Sequence, residues 1–255
     1  MGNYMSDNKW ILREDHGAGV ISLTMNCAPV NALTSENLNF MAKLLDNLED
    51  DNSIKSLVIN SSFKVFSAGI NLKEAQDFDL DAQGAMVRGL NTVFSKLFQF
   101  SKPVIVASEG AAIAGGFFFI LTSDYRVAGP KSMFGLAEVQ VGVDFPLPLL
   151  EIARAMLGVG DLRRLMQSGN PIKSETALNS GIIDEIAHEG ETFSRALAVA
   201  KNYSEIPPKT YAKVKRQIRG SSIDKIESLM KENYGIPDNG WDSDETKAAM
   251  KAKIK

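Results

Sequence analysis

The sequence is short of the side chains that most often carry chemistry. In 255 residues it has one cysteine, Cys27, and two histidines, His16 and His188. A single cysteine excludes an internal disulfide framework and points to a reducing compartment, the cytoplasm. No reactive motif surrounds Cys27, so it reads as a small buried hydrophobe. Two distant histidines leave a zinc site or a Ser-His-Asp triad little to work with, and no metal site is expected. Positive charge is not in excess, with 28 Lys and Arg against 31 Asp and Glu. The net charge is -3, and "KVKRQIRG" (213–220) reads as a solvated helix face, so no nucleic-acid partner is expected. Every apolar run breaks well short of ~20 residues, so no membrane span is expected. The first residues lack a signal-peptide pattern. "MGNYMS" fits an N-terminal acylation pattern, although Met5 offers an alternative start.

What is present is globular: 44% hydrophobic and 23% charged. "AGVISLTMN" (18–26) and "IKSLVINSS" (54–62) read as strands. "KPVIVASEG" (102–110) has the continuous apolar character of a strand in a parallel sheet. Between the first two, Thr34 or Ser35 caps a helix with an apolar stripe of Leu38, Met41, Leu44, Leu45 and Leu48. A second amphipathic helix covers 85–100. A short helix follows Gly115-Gly116, then a strand over "DYRVAGP". From Pro148 the pattern is helical, over 148–157, 160–167, 174–179, 192–204 and 208–219, with a charged terminal helix. Alternating strands and helices indicate an α/β protein. The reading is an α/β core over residues 1–200 and a helical region over 201–255.

"GAAIAGGF" (110–117) raises the functional question. It begins like a phosphate loop, but Gly116 and Phe117 stand where Lys and Ser/Thr are needed. It is not Gly-x-Gly-x-x-Gly either, so a dinucleotide fold is unsupported. What remains is a strand ending in a glycine pair that opens a helix. The first N–H groups of a helix have no partners within it, and that end favours negative charge. Tight strand-to-helix packing is the competing reading of the pair.

Five segments widen the view: "PVNALTSE" (29–36), "FSAGINLKEA" (66–75), "KPVIVASEGAAIAGG" (102–116), "SDYRVAGPKSMFGLAEVQVGV" (123–143) and "NSGIIDEI" (179–186). In this order they resemble the crotonase, or enoyl-CoA hydratase/isomerase, superfamily, from about residue 10 to the end. The resemblance implies a spiral of ββα turns with a helical C-terminal trimerisation region, and thus a homotrimer or homohexamer. It implies an acyl-CoA thioester as substrate, with coenzyme A part of that substrate and no separate cofactor. Two backbone N–H groups, of Ile70 and Gly115, would polarise the thioester carbonyl. Ala68 would lie beside the adenine and Lys73 near the CoA phosphates.

Hydratases of this superfamily carry two glutamates. One matches Glu138, in "FGLAE". The other position is Phe118, six residues before Asp124. An aromatic ring there is expected to wall the pocket and exclude water, while Phe117 and Phe119 read as core. A single acid suffices for a 1,3-proton shift but not for hydration. The resemblance is therefore closest to Δ3,Δ2-enoyl-CoA isomerases. Asp144, six residues after Glu138, reads as a loop aspartate, a second acid or a group that recognises the acyl chain. Two other readings stay open: another CoA lyase, hydrolase or hydratase using Glu138 with Asp144, and a non-catalytic acyl-CoA-binding paralogue.

Overall fold

A computed structural model describes residues 10–232, 241 and 243–253; the "MGNYMS" pattern lies outside them. The chain opens with an antiparallel pair, β1 (Ile11–Asp15) and β2 (Val20–Met25). It continues through α1 (Ser35–Asp50), β3 (Ser56–Ser61), α2 (Leu72–Ala75), α3 (Leu80–Gln99) and β4 (Val104–Ser108). Next come β5 (Ala112–Ile113), α4 (Phe117–Thr122), β6 (Tyr125–Ala128) and β7 (Met133–Gly135). Then follow α5 (Leu147–Met156), α6 (Val159–Ser168), β8 (Ile172–Lys173), α7 (Ser174–Asn179) and β9 (Glu185–Ile186). Among the described residues, α8 (Thr192–Ser204), α9 (Pro208–Lys231) and α10 (Asp244–Lys253) follow. This is the α/β core with a helical C-terminal region expected from the sequence.

Six strands form one sheet in the order β1-β2-β3-β4-β6-β9, parallel from β2 onward. The apolar runs of β3 and β4 follow from this topology, because both faces of a parallel strand are covered. On one face Val20, Val58, Ile105 and Val127 meet Ala196, Val199 and Ala200 of α8. On the other, Leu23, Leu57, Ile59 and Val106 join the main core with α1 and α3. Helix α1 begins where its cap sequence directs: the Thr34 hydroxyl accepts the Asn37 N–H at 3.1 Å. Leu38, Met41, Leu45 and Leu48 of its stripe are buried, and Leu44 is partly so.

Two sequence expectations change. Helix α9 does not stop at 219 but runs to Lys231, because Ile223, Ile226 and Leu229 beyond Gly220 are buried. The division at residue 200 falls inside α8, whose Ala200 is fully buried against the sheet. Helix α9 is also bound to the core by charge. Asp124 Oδ2 accepts from Lys215 Nζ at 2.7 Å and from the Val104 N–H at 2.9 Å. Asp124 Oδ1 lies 3.0 Å from Arg219 Nη2. Arg219 also donates to the carbonyls of Phe98, Thr122 and Ser123. Among the described residues, no helix is long and apolar enough to cross a membrane.

Candidate active site

A second, three-stranded sheet builds the site. Strands β5 and β7 run parallel, with Ala112 opposite Phe134 and Ile113 opposite Gly135. Ser67 makes a parallel bridge to Ala112. Three chain segments therefore travel side by side and leave at the same end: 67–70, 112–116 and 133–138. The first carries Ile70, the second Gly115, the third Glu138. Strand direction brings together residues separated by up to 68 positions in sequence (138 minus 70).

The backbone at the first two turns is left-handed. Gly69, just before Ile70, has φ 79°, and Ala114, just before Gly115, has φ 51°. Glycine adopts this region freely, whereas for alanine it costs about 1–2 kcal/mol. A left-handed residue turns the following N–H away from the strand, the backbone geometry of anion-binding concavities. Gly115 sits in a three-residue 3-10 turn, Ala114–Gly116, and α4 adds only six residues. Any donor there acts as a local N–H rather than through a long helix.

The two glycines of "AGG" do different work. A Cβ on Gly116 would lie 2.4 Å from the Ser67 carbonyl oxygen, so this glycine serves close packing. A Cβ on Gly115 would meet Leu33 Cδ1 at 3.0 Å and Leu90 Cδ2 at 3.5 Å, toward the cavity side. Two residues that no motif singles out hold the turns in place. Buried Asn31 donates from Nδ2 to Ser61 Oγ and the Phe66 carbonyl, and its own carbonyl accepts from Ser67 Oγ at 2.8 Å. The Ser67 carbonyl in turn accepts the Ile113 N–H at 3.0 Å. The signal for Asn31 lies in "PVNALTSE": a polar residue inside an apolar turn must find partners.

The turns open on a cavity of about 210 Å³ with predominantly aliphatic walls, among them Val87, Leu90, Val143 and Leu149. Ala68, Ile70, Gly115, Glu138 and Asp144 all line it. Glu138 opens a 3-10 turn, Glu138–Val141, closed by left-handed Gly142. The residue is half-buried, but its Oε2 is sealed from solvent and accepts no hydrogen bond. Burial, only partly offset by a hydrogen bond from the backbone N–H of Glu138, pushes its carboxyl up to about 8. Asp144 is exposed on the cavity rim. Lys73 is exposed on α2 and does not line the cavity, although its neighbour Leu72 does.

Phe118 departs from expectation. It is fully buried and does not line the cavity. Its ring packs on Phe94, with centroids 5.5 Å apart. Phe119 meets Phe94 at 5.0 Å and Phe66 at 6.1 Å, and Phe117 meets Phe134 at 5.9 Å. All three rings of "FFF" are core. The apolar wall comes instead from Val87 and Leu90 of α3 and Leu149 of α5.

Known proteins resemble this chain in sequence and fold. The enoyl-CoA hydratase/isomerase family model matches residues 15–252. A probable enoyl-CoA hydratase of Bacillus subtilis is 27% identical over 236 residues, spanning 91% of each chain. The mitochondrial enoyl-CoA delta isomerase 1 of Homo sapiens is 28% identical over 219 residues, 85% of this chain and 72% of its own. The crystal structure of human mitochondrial delta3-delta2-enoyl-CoA isomerase superposes with a TM-score of 0.85 at 25% identity, covering 96% of this chain and 97% of that one. Proteins named hydratase and isomerase stand at similar identity, so likeness alone does not choose between the two reactions. The chain belongs to the enoyl-CoA hydratase/isomerase family.

Proposed function

We propose that this enzyme is a Δ3,Δ2-enoyl-CoA isomerase with Glu138 as its only proton carrier. The observation that carries the reading is Glu138 itself: one dry carboxyl in an apolar cavity, beside two turns whose N–H groups follow left-handed residues. In the proposed cycle the N–H groups of Ile70 and Gly115 hold the thioester oxygen. Ionised Glu138 removes a proton from C2 of a 3-enoyl thioester. The C2–H electron pair forms a C1=C2 bond and the carbonyl π pair moves onto its oxygen, giving a dienolate that keeps the C3=C4 bond and whose oxyanion the two donors stabilise. Protonated Glu138 returns its proton to C4, and the carbonyl re-forms with the double bond at C2. No water enters and nothing leaves. A base with a raised pKa suits both halves, since it both takes and returns the proton near neutral pH. Hydration instead needs an ordered water and a second acid, and the hydratase-like position is filled by Phe118 in the core.

Coenzyme A enters as part of the substrate. Ala68 at the cavity rim suits contact with its adenine, and exposed Lys73 suits its phosphates. We also propose association into a trimer or a dimer of trimers. On α9, Val214 and Ile218 lie one turn apart at 46% and 76% exposure, an apolar face that a second copy would cover. Light scattering that returned a stable monomer at micromolar concentration would contradict this.

One observation favours a second reading: Asp144 lines the same cavity as Glu138. A lyase, hydrolase or hydratase would need both carboxylates. The test is to give the enzyme 3-enoyl-CoA and 2-enoyl-CoA separately and follow double-bond migration and water addition. Migration without hydration, retained in Asp144→Asn, supports the one-acid reading. Hydration as fast as migration, lost in Asp144→Asn, supports the second.

A further inference from the structure

We infer that Trp241 closes the acyl end of the cavity and sets the longest acyl chain the enzyme accepts. This rests on the proposed placement of the thioester at Ile70 and Gly115. Trp241 lies before α10, far in sequence from Ile70, Gly115 and Glu138, yet it lines the cavity and is only 8% exposed.

Helix α3 supplies the ruler. Leu90 stands beside Gly115, and Val87, nearly a turn earlier, lines the same cavity. One turn earlier again, the Gln83 side chain accepts the Trp241 backbone N–H through Oε1 at 2.6 Å. Gln83 is itself fixed, donating from Nε2 to the Phe78 carbonyl at 2.9 Å. Seven residues of α-helix, from Gln83 to Leu90, span about 10 Å. The Gly115 end of the cavity and the Trp241 backbone are therefore about 10 Å apart along α3.

The element that carries Trp241 onward is docked on the Glu138 turn. Thr246 Oγ1 donates to the Gly142 carbonyl at 2.8 Å, and Lys253 Nζ donates to Gln140 Oε1 at 2.8 Å. A chain leaving the thioester passes Glu138 at its reacting carbons and then meets apolar side chains until the ring stops it. The occupant this shape selects is a linear acyl group of short to medium length. A long fatty acyl chain would have to displace the indole.

The experiment measures dissociation constants of saturated acyl-CoA thioesters, from butanoyl to dodecanoyl, for wild type, Trp241→Ala and Trp241→Phe. These ligands bind without reacting, so the readout does not depend on turnover. Each methylene that gains burial is worth about fourfold in affinity. Wild-type affinity is expected to climb along the series and stop climbing before dodecanoyl. In Trp241→Ala the stop moves to longer chains, so that the preference for the longer chains rises by roughly tenfold or more. Trp241→Phe, which keeps a ring, falls between. Circular dichroism and thermal melting identify any variant that misfolds, in which case Trp241→Phe alone carries the comparison.

The same stopping point in wild type and both folded variants would overturn the inference. So would wild-type affinity that climbs straight through dodecanoyl. Absence of any acyl-CoA binding would overturn this inference and the functional reading together. A shifted stopping point in an enzyme that does not isomerise 3-enoyl-CoA would overturn the isomerase alone.

Discussion

Gly69 and Gly115 touch: a Cβ added to Gly69 would sit 3.0 Å from the Gly115 backbone nitrogen and 3.0 Å from the Ala114 Cβ. The residues before the two proposed donors are thus packed against one another, and both are left-handed. Gly69→Ala meets a φ of 79° and this contact together. It is expected to cost at least about 1 kcal/mol of stability and most of the activity. Ala114→Gly relaxes a strained alanine at φ 51°. It should stay within about 1 kcal/mol of wild type, because relief of strain offsets the added freedom of the unfolded chain. Urea unfolding and turnover of both variants check this, and equal effects of the two would contradict it.

Ile70 is proposed to act through its backbone alone. Ile70→Ala should retain most activity, whereas Ile70→Pro removes the N–H. Loss of one donor of this kind typically costs roughly 3–4 kcal/mol of barrier. Turnover of both folded variants is the measurement. Similar losses would mean that the side chain, not the N–H, matters at this position.

Burial raises the Glu138 carboxyl from its ordinary 4.5 to about 8. Only the ionised form takes a proton from C2. The kcat/KM for 3-enoyl-CoA should therefore rise about tenfold per pH unit below about pH 8 and level off above it. Stability runs the other way. Below pH 4.5 the group is protonated in both folded and unfolded chains, and its contribution is complete. As the pH rises toward about 8 the unfolded chain releases the proton and the native one keeps it, so stability falls. Urea unfolding from about pH 5 to about pH 8 should show a decline that Glu138→Gln lacks. The decline should reach a few kcal/mol, at about 1.4 kcal/mol for each pH unit crossed. Parallel curves for the two proteins would place the carboxyl in water.

Asp124 meets two buried cations, Lys215 and Arg219. Burial holds the Lys215 ammonium down to about 8 even with Asp124 beside it. Asp124→Ala leaves both cations without their acid in the core, a change expected to cost about 3–5 kcal/mol. Because α9 is held there, proteolysis after the variant's partial unfolding should begin in the C-terminal region. Denaturant midpoints measure the first effect, and a change below about 1 kcal/mol would show that water reaches the cluster.

Much of this is legible in the sequence for physical reasons. The buried parallel strands announce themselves as apolar runs, and Thr34 marks its helix because a cap needs its side chain. The two-residue strands β5, β8 and β9 carry too few residues for a period to show. Helix α9 overruns its expected end because three buried apolar residues outweigh the low helix propensity of Gly220. Glu138, Ile70 and Gly115 are legible through motif pattern, and their convergence follows from parallel strand direction. The orientation of Phe118 is not, because a position six residues before Asp124 does not say which way a ring turns on a six-residue helix. Trp241 is invisible, since its place at the cavity is set by contacts far off in sequence, such as its hydrogen bond to Gln83 across 158 residues of separation.

The central claim is that one carboxyl moves the proton. The direct measurement is single-turnover isomerisation of 3-enoyl-CoA by wild type and Glu138→Gln, with acyl-CoA affinity and circular dichroism measured on the same samples. Glutamine keeps the shape of the side chain but cannot accept the proton. The rate should fall by roughly 10²–10⁴-fold, while affinity and fold stay as in wild type. Isomerisation at the wild-type rate in folded Glu138→Gln would contradict the account and move the chemistry to another group, with Asp144 the first to substitute.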